Sequence, residues 1–368
     1  MRKSLIVVIT PSSSQPRFHK RISALSKISD IIVFSFRRGL YEVNDFQPGV
    51  QIFDLGKIID RNYLKRILPF FRAVRILNRN LPGGYKTIQF YAFSIDCLLV
   101  AKLAGIKIGF LEIGDLILMN TSKKWLRFLE KLILRHINGL VLTSKEFFNQ
   151  YYSILIQNNG KPSVFIIENK IPPSLIQYRI RNKLDISEIN GPITVGLVGF
   201  LRYEIPILRL VKFVNDNPEL VSLKVFGDGP YKLLIQDHAS KSIMYYGSFK
   251  NPDELPKIYG DIDLNYVVYD NHSLNVRLAI PNKLYESAFF QVPLICSPNT
   301  YLSQLTTEWG IGDAVRIDTQ NNFDNDMKKI INPKWINSKT SNCSNLSNSI
   351  LIDQQEKVLK NMFKRERT

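Results

Sequence analysis

The sequence predicts an α/β protein of two domains, each built around a parallel β-sheet. The chain has 368 residues, of which 45% are hydrophobic and 22% charged, so it has globular composition and enough apolar material for two cores. Apolar runs of four to eight residues recur along it, as in strands that are buried on both faces of a sheet. Segments with apolar residues at helical spacing separate several of these runs.

The first domain is predicted at residues 1–172. Its strands are the apolar runs "LIVVIT", "DIIVFSF", "IKIGFLEI", "GLVLTS" and "VFIIEN". A basic amphipathic helix, "YLKRILPFFRAVRILNRN", lies between the second and third of these runs. The pattern breaks near residues 170–190, where two prolines and a polar, charged stretch indicate a domain junction.

The second domain is predicted at residues 173–335. Its strands are the runs "ITVGLVGF", "LVSLKVFG", "IMYYGSF", "IDLNYVVY", "VPLICS" and "AVRI", and its helices include "IPILRLVKFVND" and "NPDELPKIYGD". Residues 336–368 are predicted to form a loop, because "WINSKTSNCSNLSNS" is polar and low in complexity, and then a closing helix in "LIDQQEKVLKNMFKRERT". Two similar α/β domains usually bind a ligand in the crevice between them.

Composition argues against several other classes of protein. The three cysteines lie far apart, which favours reduced thiols in a cytosolic protein over a disulfide framework, and the four scattered histidines show no zinc motif. The apolar run at the N-terminus is too short for an export signal. The most apolar long window, "FSIDCLLVAKLAGIKIGFLEI", contains Asp96, Lys102 and Lys107, which favours a buried helix and strand over a membrane span.

Positive charge is concentrated in the first half of the chain. The net charge is +17, of which residues 1–170 carry +15 and residues 171–368 carry +2. This asymmetry predicts that the first half meets an anionic surface, either the cytoplasmic leaflet of a membrane or a nucleic acid. A solvated basic face without a partner is the alternative. Nucleic acid is disfavoured, because the sequence has no recognition motif and no stripe of interleaved aromatic and basic residues.

The segment "IPNKLYE" predicts an anion site at the start of a helix. Pro281 is expected at the first helical position, which places Asn282 and Lys283 in the first turn, where unpaired N–H groups and the helix dipole attract anions. Lys283 would add a positive charge for a diphosphate. Glu286, one turn further, could accept hydrogen bonds from two neighbouring ribose hydroxyls. The alternative is a surface pair between Lys283 and Glu286, worth a few tenths of a kcal/mol.

The segment "VGLVGFLRY" ends a predicted strand and supplies a second candidate for anion binding. Gly199 would let the backbone approach a phosphate, and Arg202 could bind phosphate oxygens through its fork of donors. The alternative for Arg202 is a surface position after a core strand. The segment "VFGDGP" is explained by turn chemistry alone.

Taken in order, these segments resemble a known family. "VGLVGFLRY", "LKVFGDGP", "YYGSF", "DLNYVVY" and "IPNKLYESAFFQVPLICS" resemble the donor-binding domain of a GT-B-fold glycosyltransferase similar to glycosyltransferase family 4, of the bacterial surface-polysaccharide type. "SSSQPRFHKRISALSK", "FLEIGDL" and "VLTSKEFFNQYY" resemble its acceptor domain, so the resemblance covers nearly the whole chain. It implies two Rossmann-like αβα domains facing a cleft, with a C-terminal helix that crosses back to the first domain.

The resemblance also implies roles for the donor-site residues. A nucleoside diphosphate sugar would be held mainly by the second domain, with Arg202 and Lys283 on the diphosphate. Glu286 matches the second carboxylate of the family's paired-glutamate motif and would hold the ribose. The first carboxylate of that motif would fall eight residues earlier, where this chain has Leu278. This departure bears on the donor and on the stereochemical outcome, and Asn275 and Arg277 are nearby candidates for compensation.

Acidic and basic residues of the first domain are candidates for the acceptor side. Glu112 and Asp115 end a predicted strand, and either carboxylate could act as general base on the acceptor hydroxyl if the enzyme inverts configuration. If it retains configuration, the carboxylate would orient the acceptor or stabilise positive charge at the anomeric carbon. Asp115 could instead cap the following helix. Arg17, Lys20 and Arg21 could bind acceptor phosphate or could form an exposed basic turn of a helix.

A metal ion is not expected. Asp261 and Asp263 in "GDIDL" are interpreted as turn and strand-entry residues, and the sequence shows no Asp-x-Asp motif at a plausible strand end. In the GT-B fold, basic residues and a helix terminus typically offset the charge of the leaving diphosphate. We therefore expect no metal and no cofactor other than the nucleotide-sugar substrate.

The function predicted from the sequence is that of a metal-independent, retaining glycosyltransferase. It would move a sugar from a nucleoside diphosphate sugar to a lipid-linked glycan in surface polysaccharide biosynthesis. The basic first domain would hold it at the cytoplasmic face of the cell membrane as a peripheral protein. A nucleotide-sugar epimerase of similar fold and a non-catalytic, carbohydrate-binding or scaffold protein are the alternatives.

Overall fold

The chain forms two compact units in a computed structural model that describes residues 4–13, 15–38, 49–58, 66–116, 124–156, 162–179 and 191–365. The first unit comprises the chain up to Glu168 together with the C-terminal segment from Gln354. The second unit runs from Asn169 to Asp353. The linker segment at residues 180–190, part of the predicted junction, lies outside the described residues.

The first unit contains a sheet of seven parallel strands in the order β3-β2-β1-β4-β5-β6-β7. The strands β1 to β7 are Leu5–Thr10, Asp30–Arg38, Gln51–Ile58, Ile88–Ala92, Ile108–Ile113, Gly139–Leu142 and Ser163–Ile166. The sequence analysis did not identify β3 or β4. Strand β3 is an edge strand with mostly half-exposed, mixed side chains, and β4 is short and interrupted by Gln89, so neither forms a clear apolar run.

Helices follow most of these strands. The helices α1 to α6 are Pro16–Ser26, Ile67–Asn80, Ile95–Leu103, Lys124–Leu134, Lys145–Phe147 and Ser153–Ile156, with a π-helical turn, Phe148–Tyr152, between α5 and α6. Pro16 starts α1 because a proline at the first position loses no helical hydrogen bond. The Ser94 hydroxyl caps α3 by accepting a hydrogen bond from the Cys97 backbone N–H.

The second unit contains a sheet of six parallel strands in the order β10-β9-β8-β11-β12-β13. The strands β8 to β13 are Ile193–Val198, Val221–Phe226, Ile243–Gly247, Leu264–Val267, Leu294–Cys296 and Gly312–Ala314. Alternate side chains of β11 enter the cores on the two faces of the sheet: Leu264 and Tyr266 enter one, and Val267 enters the other.

Nine α-helices of the second unit lie among the described residues, after a short 3-10 helix, Pro173–Tyr178. The helices α7 to α15 are Glu204–Asp216, Lys232–Asp237, Leu255–Gly260, Leu274–Leu278, Lys283–Phe290, Tyr301–Glu308, Gln320–Ile330, Pro333–Asn345 and Asn348–Leu351. Helix α14 occupies much of the segment predicted to be a loop, so that prediction is wrong. The Asn332 side chain caps this helix, Pro333 starts it, and Ile336 and Cys343, two turns apart, are its buried residues.

A closing helix, α16 (Gln355–Arg365), belongs to the first unit, as predicted. It packs beside α1, and Leu359, Met362 and Phe363 enter the same core as residues of β1, β4 and α1. The Phe363 ring lies 4.7 Å from the ring of Phe110 in β5, centroid to centroid. The chain therefore returns to its first domain before it ends.

Candidate functional site

The two central strands of the second sheet, β8 and β11, are adjacent although they are not consecutive along the chain. Parallel sheets bind ligands at such a point, outside the carboxyl ends of the strands. The loop after β8 is held there by tight backbone contacts, because the Gly199 N–H donates to the Phe226 carbonyl at 2.7 Å. A Cβ atom at Gly227 would lie 1.7 Å from the Gly199 carbonyl oxygen, so this crossing of two loops requires glycine.

The loop that carries Arg202 lies beside Tyr269, two residues beyond the end of β11, because the rings of Tyr203 and Tyr269 are 5.2 Å apart, centroid to centroid. Burial raises the pKa of the Tyr269 hydroxyl, the neighbouring Tyr203 phenol and the Glu286 carboxylate raise it further, and the Arg202 guanidinium lowers it. Arg202 is exposed and lies over the ring of Phe200 at 5.3 Å. Arg202 and Glu286 therefore both influence the pKa of Tyr269, although they are separated by more than eighty positions in the sequence.

Helix α11 begins at Lys283, with Asn282 as its N-cap, so Pro281 precedes the helix and does not occupy its first position. This corrects the sequence prediction by two residues. A Cβ atom at Gly199 would lie 3.4 Å from Lys283 Cε, and Lys283 Nζ lies 5.9 Å from the centre of the Phe249 ring. The structure thus places the start of α11 against the loop after β8, as the predicted site requires.

Lys283 and Glu286 form a buried ion pair. The distance between Lys283 Nζ and Glu286 Oε2 is 2.6 Å, and the two side chains are only 7% and 4% exposed. The Asn282 amide donates a second hydrogen bond, to Glu286 Oε1. The alternative prediction of a pair at the surface is therefore wrong, because the two residues do pair but are buried. Removing one partner of a buried pair leaves an uncompensated charge, so both charges act as a unit.

A polar network that the sequence analysis missed continues from Glu286 into the core. The Tyr259 hydroxyl donates to Glu286 Oε2 at 2.8 Å. The Asn265 amide donates to Tyr259 Oη at 3.1 Å and to Ser287 Oγ at 2.7 Å. Burial, followed by the Glu286 charge, raises the pKa of Tyr259, so its hydroxyl stays protonated and can donate. The sequence signal was the lone amide of Asn265 in an otherwise apolar strand.

The position of the missing family carboxylate is occupied by a buried leucine. Leu278 ends the short helix α10 and is 9% exposed. Arg277 beside it is exposed, and Asn275 is half-buried. The compensating role of Asn275 and Arg277 stays a prediction.

In the first unit, Glu112 is fully buried near the end of β5 and is surrounded by donors. Arg21 Nε donates to Glu112 Oε2 at 2.8 Å, and the Tyr91 hydroxyl donates to the same oxygen. Arg17 Nε lies 3.6 Å from Glu112 Oε1. Burial alone would raise the pKa of Glu112, but the guanidinium groups of Arg21 and Arg17 together with the hydrogen bonds hold it below its ordinary value.

This environment separates the roles of the predicted acceptor-side residues. A buried carboxylate that is kept ionised by arginines is a weak proton acceptor, so the geometry favours Glu112 as a residue that orders Arg17 and Arg21. Asp115 is exposed just beyond β5. The Arg17 guanidinium packs against the backbone at Gly114, where a Cβ atom would lie 1.3 Å from Arg17 Nη1.

The remaining acceptor-side predictions concern α1. Arg21 is 2% exposed, and besides Glu112 it donates to the Gln355 side chain of α16. Lys20 is half-buried, and its backbone carbonyl accepts from Gln355 Nε2 at 3.4 Å. The structure therefore brings Arg17, Arg21 and Glu112 together, with Arg17 the most exposed of the three.

Two searches of the described residues give negative results. No three or more His, Cys, Asp or Glu side chains lie together in a way that could hold a metal ion. Within the same residues, no helix has the length and apolar character of a membrane span. Independence from metal and the absence of a cofactor stay predictions.

Comparison with solved structures reveals extensive structural similarity. Sucrose-phosphate synthase from Thermosynechococcus elongatus matches with a TM-score of 0.67 at 14% identity, over 99% of this chain and 98% of that chain. HepE from Anabaena in complex with UDP-glucose matches with a TM-score of 0.68 at 13% identity, over 99% and 100%. WaaG, a glycosyltransferase involved in lipopolysaccharide biosynthesis, matches with a TM-score of 0.59 at 11% identity, over 98% and 99%.

The chain has the GT-B fold. The two parallel sheets, the helices around them and the returning C-terminal helix confirm the predicted fold class and the resemblance to GT-B glycosyltransferases at the level of fold. No protein-family model matches the sequence, and no curated protein matches it. In this GT-B chain, the Gly199 loop and the start of α11 belong to the second unit, and the Glu112 cluster belongs to the first.

Proposed function

We propose that this GT-B protein is a glycosyltransferase that moves a sugar from a nucleoside diphosphate sugar to a lipid-linked glycan acceptor. The observation that carries the proposal is the position of the Lys283–Glu286 pair beside the loop after β8, which also carries Arg202: a Cβ atom at Gly199 in this loop would lie 3.4 Å from Lys283 Cε. Similar structures support a nucleotide-sugar donor, since HepE has been solved with UDP and with UDP-glucose. We carry this donor class to the present chain as part of the proposal.

The Lys283–Glu286 pair suits a ligand that carries both a diphosphate and a ribose. Each member of the pair neutralises the other in the structure. A nucleoside diphosphate would offer phosphate oxygens to Lys283 and vicinal hydroxyls to Glu286. On binding, the ion pair between the two side chains would be replaced by contacts from each of them to the ligand. Arg202 and the N–H groups at the start of α11 would add further donors for the phosphates.

In the proposed reaction, an acceptor hydroxyl oxygen bonds to the anomeric carbon as the bond from that carbon to the diphosphate breaks. The diphosphate leaves with the bonding electron pair and takes up the proton of the acceptor hydroxyl, and Lys283 and Arg202 stabilise its charge without a metal ion. Asp115 orients the acceptor hydroxyl or stabilises positive charge at the anomeric carbon, with retention of configuration. Arg17 and Lys20 bind acceptor phosphate, while Glu112 and Arg21 order Arg17.

Nucleotide binding by the folded protein tests this proposal. UDP, GDP, ADP and CMP are compared by thermal shift, and one of the diphosphates should raise the melting temperature, because a ligand at 100 times its Kd adds about 2.7 kcal/mol to stability. Glu286→Ala should abolish the shift measured against its own baseline, whereas the control Leu278→Ala should retain it. A wild-type protein that responds to none of the diphosphates contradicts the proposal.

The acceptor and the membrane setting are proposed from charge and from the surface of α2. Three more-than-half-exposed apolar side chains are followed by three exposed arginines on this helix: Ile67, Leu68, Phe71, Arg72, Arg75 and Arg79. Apolar groups beside arginines fit the headgroup region of an anionic bilayer. WaaG, named for lipopolysaccharide biosynthesis, supports surface polysaccharide assembly as the setting. The cytoplasmic face of the cell membrane is proposed from the charge and the surface of α2 alone.

Leu278 favours a second candidate function, that of a carbohydrate-binding protein without catalytic activity. A buried leucine stands where the family has a carboxylate near the donor sugar. Incubation with nucleotide sugar and a lipid-linked glycan distinguishes the two, since a transferase releases nucleoside diphosphate and a binding protein does not. Isomerisation of the donor sugar without acceptor would instead indicate an epimerase.

A further inference from the structure

The buried network behind Glu286 contains two groups that a bound nucleotide could not reach. Tyr259 in α9 is 0% exposed, and Asn265 in β11 is also 0% exposed. Burying a hydroxyl and an amide in an apolar core is unfavourable unless both are hydrogen-bonded. Their hydrogen bonds lead from the sheet to the carboxylate of the proposed donor site.

Glu286 receives hydrogen bonds from three side chains, and they differ in what a ligand would do to them. Lys283 and Asn282 lie at the start of α11, in the proposed donor site, so a diphosphate would draw Lys283 away from Oε2. The Tyr259 hydroxyl approaches Oε2 from the core and would stay in place. A carboxylate oxygen that lost Lys283 would therefore retain one donor.

The geometry of Tyr259 is held from two sides. Its ring stacks on Phe290 of α11 with centroids 5.0 Å apart and an angle of 16° between the planes. The Asn265 amide donates to Tyr259 Oη, which leaves the hydroxyl hydrogen directed at Glu286. Asn265 is anchored in turn by its place in the middle strand β11 and by Ser287 Oγ.

We infer that Tyr259 is a positioning residue of the donor site: it holds the Glu286 carboxylate in place for the ribose while Lys283 transfers to the diphosphate. Asn265 orients the Tyr259 hydroxyl towards Glu286 and is therefore a second positioning residue. The inference rests on the proposed function, because it assigns to Glu286 a ligand with vicinal hydroxyls.

Tyr259→Phe tests the inference, with Tyr266→Phe as a matched control. Both tyrosines are buried, and each hydroxyl donates one hydrogen bond, to Glu286 from Tyr259 and to the Pro206 carbonyl from Tyr266 at 2.9 Å. The Kd of the nucleoside diphosphate that gives the largest thermal shift is measured by calorimetry. Tyr259→Phe should weaken binding about tenfold or more, since the lost hydrogen bond goes to a charged group. Tyr266→Phe should leave Kd within about twofold.

A double-mutant cycle separates positioning from general stability. If Tyr259 acts through Glu286, Tyr259→Phe should have little further effect on Kd in a Glu286→Gln background. Additive losses of affinity would overturn the inference, as would a Tyr259→Phe variant that binds like wild type. Asn265→Ala provides a second route, with Asn217→Ala as its control, because the Asn217 amide donates to the Phe213 carbonyl at 2.8 Å, outside the Glu286 network. The first variant should weaken binding and the second should not.

The outcomes also separate the inference from the proposed function. Wild-type protein that binds none of UDP, GDP and ADP removes both. Wild-type binding that is weakened by Glu286→Gln but not by Tyr259→Phe or Asn265→Ala overturns the positioning role alone and leaves the donor site standing.

Discussion

At the residue scale, two buried carboxylates of the first unit have pKa values shifted in opposite directions. For Glu112, burial would raise the pKa, but the guanidinium groups, Arg21 foremost, outweigh it and the pKa falls. For Glu130, burial raises the pKa, and hydrogen bonds from Tyr151 and Tyr152 offset this only in part. The difference follows from the partners, since a positive charge stabilises a buried carboxylate more than hydroxyl donors do.

Glu112→Gln should destabilise the protein by about 3–5 kcal/mol near neutral pH, because Arg21 would remain buried without a charged partner. A carboxyl with a depressed pKa contributes stability above its unfolded pKa of about 4.3, and this contribution is lost as the pH falls through the folded pKa. The difference between wild type and variant in urea unfolding should therefore be full at about pH 7 and shrink below about pH 4.

Glu130→Gln is the control for this pH dependence, with the opposite sign. Its raised pKa means that the folded state prefers the protonated form, so ionisation costs stability as the pH rises through the folded pKa. The neutral amide avoids that cost, and the variant should gain on wild type with rising pH. If the stability difference from wild type changed with pH in the same direction for both variants, the opposite pKa shifts of Glu112 and Glu130 would be contradicted.

At the element scale, the closing helix α16 completes the core of the first unit. Its contribution is three buried side chains, Leu359, Met362 and Phe363, which pack in the same core as α1 and β5. Helix α16 follows the second unit in the sequence but packs in the core of the first unit. Shortening the side chains on its buried face should therefore lower the free energy of unfolding.

Phe363→Ala should lower the free energy of unfolding by about 3–5 kcal/mol, because it removes a ring packed against Phe110 and leaves a cavity. Lys364→Ala, at the exposed neighbouring position of the same helix, should change stability by less than about 0.5 kcal/mol. Urea unfolding measures both. Equal, small effects would show that α16 is not a fixed part of the core.

At the scale of the whole molecule, charge is distributed unevenly along a chain with two similar folds. The first 170 residues carry +15 of the net +17, and the exposed arginines of α2 belong to that part. An interaction with an anionic surface should therefore depend on the first unit and weaken as salt screens it, since the Debye length falls from about 10 Å at 0.1 M to about 3 Å at 1 M.

Sedimentation with vesicles that contain anionic lipid tests this expectation. Wild-type protein should bind at about 0.1 M salt and be released at about 1 M. Charge reversal of Arg72, Arg75 and Arg79 to Glu should weaken binding strongly. The same reversal at three exposed lysines of the second unit, Lys328, Lys329 and Lys334, changes the net charge equally and should have a small effect. Equal binding at both salt concentrations would remove the electrostatic argument.

The fold class and the helix that carries Lys283 and Glu286 could be predicted from the sequence. Buried parallel strands produce local apolar runs, and "IPNKLYE" shows a helix start with its charges within a few residues, so both can be recognised without knowing what packs against them. The prediction failed at β3 and β4, where the apolar runs are weak, and at α14, where a polar sequence is folded by its cap and two buried residues.

The partners of the charged residues could be identified only from the three-dimensional structure. Arg21 and Glu112 are hydrogen-bonded although they lie 91 positions apart in the sequence, and Tyr259 and Glu286 are hydrogen-bonded although they lie 27 positions apart. In each unit, the fold brings together strands and helices that are distant in the sequence. Whether a carboxylate is exposed or paired depends on these long-range contacts, which leave no local pattern. For that reason, the burial of Glu112 and of the Lys283–Glu286 pair could not be predicted from the spacing of residues in the sequence.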